Sequence, residues 1–292
     1  MPESIAIIAP GEMGSGVGRR LHERGARVLT SLAGRSAKSA ERAARAGFEI
    51  VDDDARLVAE ANFILSIVPP GDAIGVAQRF QPALARAARK PVYVDCNAVA
   101  PESVRRIEAI LSAAQCPFVD VGIIGSPPQG SGPGPRFYAS GAAAQALERV
   151  AAYGIDVRRM EGPIGAASAL KMSYAGLTKG LTALGAVMML GATRAGADAA
   201  LLQELASSQP QMLTWLVRQV PRMYPKAYRW AAEMEEIANF LSGDAAGQQV
   251  YRGTAHLYER LAGAAGAGSP AEQGELAALS AFCREGARLL AR

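Results

Sequence analysis

The sequence predicts an α/β N-terminal domain built on a mainly parallel sheet, over 1–162, and an all-α C-terminal domain, over 163–292, joined by a long helix. Three observations predict it. Short apolar β runs alternate with helical stretches through the first half, the pattern of βαβ units. A glycine-rich turn separates the first β run from the first helix. After about Gly162 the β signal vanishes, and the text reads as helices broken at "ASSQP", "MYPKAY" and "GAAGAGSPAEQG".

The elements follow in order. "SIAIIA" is a short apolar strand, followed by glycines and a helix through "VGRRLHERG". "ARVLTSL" is a second strand, and "SAKSAERAARAG" a polar, alanine-rich helix. "ANFILSIVPP" is a strand stopped by a proline pair. "PVYVDCN" is the next strand, with a helix through "APESVRRIEAILSAA". "PFVDVGIIGS" is a further strand. The loop "GSPPQGSGPGPRF" is too dense in Gly and Pro for regular structure. It leads into one more strand, "FYASG", and a helix through "AAAQALERVAAYG".

Composition bounds the function classes. A chain of 292 residues that is 50% hydrophobic and 20% charged can bury the cores of two domains. The net charge of +4 comes from scattered arginines, and no basic run is interleaved with aromatics, so no nucleic-acid partner is expected. Cys96, Cys116 and Cys283 match no disulfide or metal framework, which implies reduced thiols, a cytoplasmic location and no metal site. With His22 and His256 the only histidines, a His-based zinc site or a Ser-His-Asp triad is not expected. "GLTALGAVMMLGA" is too short to span a bilayer and is flanked by Lys179 and Arg194, so it reads as a core helix.

"IAIIAPGEMGSGVG" places Gly11, Gly14 and Gly16 between a strand and a helix, the context of a dinucleotide fingerprint in a Rossmann-type domain. The glycines let the backbone approach a pyrophosphate, and the helix N-terminus faces its charge. Ala9 and Pro10 precede Gly11 where the pattern would have Gly-x-Gly. An NAD site would carry an acid after the second strand for the ribose 2′-hydroxyl. Here no acid occurs between Glu23 and Glu41, and "AGRSAKS" supplies Arg35, Ser36 and Lys38 instead. A guanidinium suits the 2′-phosphate, so NADP(H) is the expected cofactor.

At this point the chain resembles the β-hydroxyacid dehydrogenase superfamily, which includes 6-phosphogluconate dehydrogenase, and especially its branch with a divergent C-terminal domain. The resemblance runs through nearly the whole chain. "APGEMGSGV" resembles the family's cofactor loop, which implies that Ala9, Pro10, Gly11, Glu12, Met13 and Gly14 line the cofactor. "GRS", Gly34 to Ser36, resembles its Asn-Arg-Thr element at the adenosine end. "IVPP" resembles the cofactor-flanking loop, which implies Val68 and Pro69. "DCNAVAPESV" resembles Asp-x-Ser-Thr-x-x-Pro, with Asn97 in the serine's place and able to touch the nicotinamide carboxamide or the substrate. "DVGIIGSPPQGSGP" resembles the substrate-binding segment, implying Gly122, Ile123 and Ile124; Ile124 stands where the family has a carboxylate-gripping serine. "GPIGAASALKMSY" resembles the catalytic segment, and Lys171 falls on its lysine. Tyr174 and Ala175 replace the Asn-rich pair, and "EMEEIANFL" has acids where a Lys-Asp-Leu element is expected. The scaffold and the lysine carry over; the usual 3-hydroxy-acid substrate does not follow.

Lys171 sits in a run of small and apolar residues, where an ammonium needs a partner or a task. Spacings of three and seven put Tyr174 and Thr178 on its helical face as candidate substrate-binding groups. A lysine there can stabilise a developing alkoxide and donate a proton, and burial lowers its pKa toward use as a base. The expected activity is carbonyl–hydroxyl interconversion on a small molecule. Imine reduction and non-catalytic NADP binding are the alternatives. The bland reading of Lys171 is a side chain that snorkels to solvent or pairs with Glu233 or Glu235; Glu233, Glu235 and Glu236 otherwise read as a solvated face. The helix from Ile164 to about Gly196, ~50 Å long at ~1.5 Å per residue, is apolar over much of its circumference, which predicts a homodimer.

Overall fold

The computed structural model describes residues 2–32, 36–130, 132–265 and 270–291. By their contacts the residues form two compact units, Met1–Met172 and Ser173–Arg292.

The first unit is a sheet in the order β3-β2-β1-β4-β5-β6-β7-β8. Its strands are β1 Ser4–Ile8, β2 Arg27–Ser31, β3 Glu49–Val51, β4 Phe63–Ser66, β5 Val92–Asp95, β6 Phe118–Ile124, β7 Arg136–Ser140 and β8 Asp156–Arg159. All neighbours pair parallel except β6 and β7. The helices are α1 Glu12–Glu23, α2 Ala37–Arg45, α3 Asp54–Glu60, α4 Ala73–Arg86, α5 Pro101–Ser112 and α6 Glu148–Ala151. Alternate residues of each central strand feed two cores. Ile5, Ile7, Phe63, Leu65, Val94, Val121 and Phe137 pack on one face. Ala6, Ile8, Ile64, Tyr93 and Phe118 pack on the other, with Leu57, Phe80, Val104 and Ile107. Burial on both faces is why these strands read as unbroken apolar runs. It is also why β3 and β8 carried no such signal. They are the two edges, and most of their residues are exposed or half-buried.

One expected helix is corrected. "AAAQALERVAAYG" forms a 3-10 turn at Ala144–Leu147 and the single turn α6. The connection leaves β7 at Ser140 and reaches β8, parallel to it, at Asp156.

Helix α7 runs Ala166–Arg194 without interruption. Its first turns belong to the first unit and the rest to the second. α8 Asp198–Ser208, α9 Pro210–Met223, α10 Ala227–Phe240, α11 Ala245–Ala265 and α12 Pro270–Leu290 complete the second unit. The breaks at "ASSQP" and "MYPKAY" lie between α8 and α9 and at a 3-10 turn, Tyr224–Lys226; the third break includes residues outside those described. Glu233 corrects the solvated-face expectation. It lies inward and pairs with Lys179, which also sits 5.2 Å from the centre of the Trp230 ring. The Tyr258 hydroxyl donates to the Lys179 carbonyl at 2.6 Å. Leu177, Leu181, Leu184 and Met188 stand exposed in a ridge along α7. Beside the ridge lies a cavity of about 470 Å³ lined by Leu184, Met188, Leu205, Met212 and Trp215.

Candidate active site

The glycine turn joins β1 to α1. A side chain on Gly14 would meet the Ala9 carbonyl at 2.2 Å, so only glycine allows the helix to start this close to the strand. Gly11 is the N-cap of α1 and supplies no side-chain cap, and a Cβ there would meet nothing within 4 Å. An uncapped helix start with open space before it suits a pyrophosphate, whose oxygens would accept from the first-turn N–H groups. Glu12 is exposed and Met13 half-buried at the same turn, while Pro10 is buried. The Ala9 N–H donates to the Ile67 carbonyl at 3.3 Å, tying this turn to the loop after β4. Val68 is half-buried and Pro69 exposed on that loop. Ser36 is the N-cap of α2, and its Oγ lies 3.3 Å from that of Ser39. Arg35 lies outside the described residues. Arg20 of α1 donates to the Gly130 and Gly132 carbonyls at 3.0 and 2.7 Å, which moors the Gly/Pro loop against the cofactor helix.

Asn97 has an inward part. It is 2% exposed. Its Oδ1 accepts from the Val68 N–H at 2.7 Å, and its Nδ2 donates to Ser66 Oγ at 3.1 Å and to Asp95 Oδ1. Both amide protons are engaged within the protein, and its Oδ1 holds the Val68 loop.

Four polar residues form one row across the sheet. Ser66, Asp95, Asp120 and Ser140 are register partners on β4, β5, β6 and β7, and each is fully buried. Asp120 accepts from Ser140 Oγ, Gly165 N, Ser168 N and Ser168 Oγ at 2.7–3.1 Å. Burial pushes its carboxyl up, against those donors. All the groups that touch it donate, so Asp120 carries the charge of the row. Asn97 donates to Asp95 Oδ1, and among the described residues the buried Oδ2 of Asp95 has no partner. Burial first, and the charge of Asp120 second, push Asp95 up to about 7. The sequence reading passed over this row. Its signal was a polar residue closing each of several apolar strands, "FILS", "VYVD" and "FYAS".

Lys171 lies on α7 against β6. Its ammonium donates to the Ile123 carbonyl at 2.7 Å, and burial alone brings it from 10.5 down to about 8. Within the second unit, Glu233 pairs with Lys179. Gly122 makes the approach possible. A Cβ there would lie 2.6 Å from the Ala167 carbonyl and 3.1 Å from the Lys171 Cβ. The structure thus gives Gly122 and Ile123 a part in holding the lysine. The Ile123 and Ile124 side chains are buried in the fold. In the second unit, Tyr174 is 47% exposed. The Thr178 hydroxyl donates back to the Tyr174 carbonyl at 2.9 Å, the usual helical back-bond of a threonine.

Comparison with known proteins agrees with this architecture. A solved structure described as a conserved protein of unknown function, with structural similarity to 3-hydroxyacid dehydrogenases, is 28% identical; the match covers 88% of this chain and 96% of that one, with a TM-score of 0.71. The 3-hydroxyisobutyrate dehydrogenase of Mycobacterium tuberculosis shares the fold at 17% identity, with 98% of this chain and 99% of that one covered and a TM-score of 0.74. The imine reductase of Myxococcus stipitatus shares it at 18% identity, 91% and 95% coverage and a TM-score of 0.55. Residues 192–261 match a domain of unknown function, DUF1932. Residues 4–153 match the NAD binding domain of 6-phosphogluconate dehydrogenase, and the chain belongs to that family.

Proposed function

We propose that the protein is an NADP-dependent oxidoreductase that interconverts a carbonyl and a hydroxyl on a small molecule, with Lys171 as general acid and base. The observation that carries this reading is the state of Lys171. Its ammonium rests on a backbone carbonyl with burial lowering its pKa to about 8, near the pH at which a group can both give and take a proton.

NADP(H), when bound, supplies or accepts the hydride. The turn from Ala9 to Gly14 would hold its pyrophosphate, Arg35 and Ser36 its 2′-phosphate, and Val68 and Pro69 would flank the nicotinamide end. In the reducing direction negative charge develops on the substrate oxygen. The Lys171 ammonium stabilises that charge and donates the proton. In the oxidising direction the neutral amine takes the hydroxyl proton, which its lowered pKa favours. Ile124, where a serine would grip a carboxylate, supports a substrate without the standard carboxylate contact.

Imine reduction on the same scaffold is the second reading. It is favoured by Tyr174, a half-exposed tyrosine one turn after Lys171 in sequence. The ridge of Leu177, Leu181, Leu184 and Met188, with a cavity beside it, supports a homodimer. Three buried free thiols support a cytoplasmic location.

The test is NADPH consumption with a panel of aldehydes, keto acids and cyclic imines, run beside Lys171→Ala. Turnover of a carbonyl compound that the variant loses supports the reading. Turnover of imines alone moves it to the second. Tight NADPH binding with no turnover of any compound, in a variant-independent way, leaves a binding protein.

A further inference from the structure

We infer that Asp120 is the positioning residue of this site: its buried carboxylate caps α7 from a neighbouring strand and so sets where Lys171 stands. The inference rests on the reading of Lys171 as the working group.

An α-helix begins with N–H groups that have no intrahelical partner, and a side chain at the N-cap ordinarily accepts from one of them. Here the residue before α7 is Gly165, which has no side chain to offer. The task passes to β6 and β7. The Gly165 and Ser168 N–H groups donate to Asp120 Oδ2 at 3.0 and 3.1 Å, and the Ala167 N–H donates to Ser140 Oγ at 3.0 Å. Ser140 in turn donates to Asp120 at 3.1 Å, and Ser168 Oγ closes the cluster on Oδ1 at 2.7 Å. The carboxylate also sits at the positive end of the helix, where a negative charge is favoured.

A fully buried aspartate in a sheet covered on both faces is costly unless its donors are complete. This one uses its donors to hold a single helix start. One turn further along that helix is Lys171, and two and three residues further along the same strand are Gly122 and Ile123. Gly122 admits the Ala167 carbonyl and the Lys171 Cβ, and the Ile123 carbonyl receives the ammonium. Residues 120–123 therefore hold α7 at its start, at its first turn and at the lysine. Moving the first point moves the third.

The test is the titration of Lys171, followed by the side-chain Cε signal of protein carrying carbon-13-labelled lysine and assigned with Lys171→Met. It needs neither substrate nor turnover, so it stands or falls apart from the activity assay. Asp120→Asn keeps the shape but turns an amide N–H₂ toward N–H and O–H donors. If Asp120 positions the lysine, the ammonium leaves Ile123 for solvent in the variant, and its pKa rises by about one unit or more toward the ordinary value. Loss of the carboxylate's charge alone would move it the other way, because a nearby anion favours the ammonium. A lowered or unchanged pKa in a folded but less stable variant would overturn the inference and leave Asp120 as a structural cap. If Asp120→Asn does not fold, Ser168→Ala with Ser140→Ala removes two donors while keeping the carboxylate. The same upward shift is then expected, and its absence overturns the inference.

Discussion

The Lys171 ammonium donates to the Ile123 carbonyl at 2.7 Å, so this lysine is held by a backbone dipole. A carbonyl stabilises the ammonium less than a carboxylate would, which leaves burial free to lower its pKa to about 8. A group whose pKa is lowered on folding adds stability only above its unfolded value, and that contribution is lost as pH falls through about 8. At neutral pH the lysine is therefore a burden on the fold. Lys171→Met should abolish turnover, leave NADPH affinity near wild type and raise stability by about 1–3 kcal/mol at pH 7. The gap should close as pH rises toward 10.5. Denaturant unfolding across that range checks it; a variant less stable than wild type at pH 7 would contradict the account.

Gly122 is required by the helix that crosses it. Gly122→Ala places a methyl 2.6 Å from the Ala167 carbonyl, a backbone atom that cannot rotate away. The expected result is a loss of about 1–3 kcal/mol and a marked fall in kcat, since α7 must shift with Lys171 on it. An active, fully stable alanine variant would mean that β6 does not set the lysine's place.

Asp95 should make the fold sensitive to alkali. Its carboxyl is raised from 3.8 to about 7, with Asp120 on the adjacent strand, Tyr93 on its own strand and Cys96 just after it as the titratable neighbours. A group raised on folding stabilises fully below its unfolded value, and that stability is lost as pH rises through the folded value. Wild type should weaken between about pH 4 and pH 7, whereas Asp95→Asn, a neutral isostere, should weaken less, and should be the more stable protein at pH 8. Melting temperatures of the two at several pH values give the comparison; parallel curves would refute it.

Cofactor choice is expected to follow Arg35. NADPH should bind more tightly than NADH in a fluorescence titration. Arg35→Ala should weaken NADPH by roughly tenfold or more and leave NADH nearly unchanged, as the loss of a charge-assisted contact to one phosphate implies. Tighter binding of NADH by the wild type would reverse the assignment.

The exposed ridge of α7 should be buried between two copies. Light scattering at micromolar concentration should give twice 30.4 kDa, and Leu181→Asp with Leu184→Asp should give the monomer mass. A monomeric wild type would remove the homodimer from the proposal.

The sequence by itself determined the class of fold and pointed to candidate residues within it. Strands buried on both faces must be apolar throughout, so β1, β4, β5 and β6 announced themselves, and the turn from Gly11 to Gly14 was marked by its place between a strand and a helix. A lone lysine in an apolar helix drew attention to Lys171 because charge is expensive there. Edge strands β3 and β8 were silent, because an exposed strand needs no apolar pattern. Only the tertiary structure decided how these residues work together. Asp95 and Asp120 are 25 positions apart in the chain and become neighbours through register alone. Asp120 reaches across to Gly165 and Ser168, and Asn97 turns inward to Val68. Hydrogen bonds between distant segments leave no periodic trace in the chain. That is why Lys171 stood out early as a candidate, while what holds it appeared only when β6 and α7 came together.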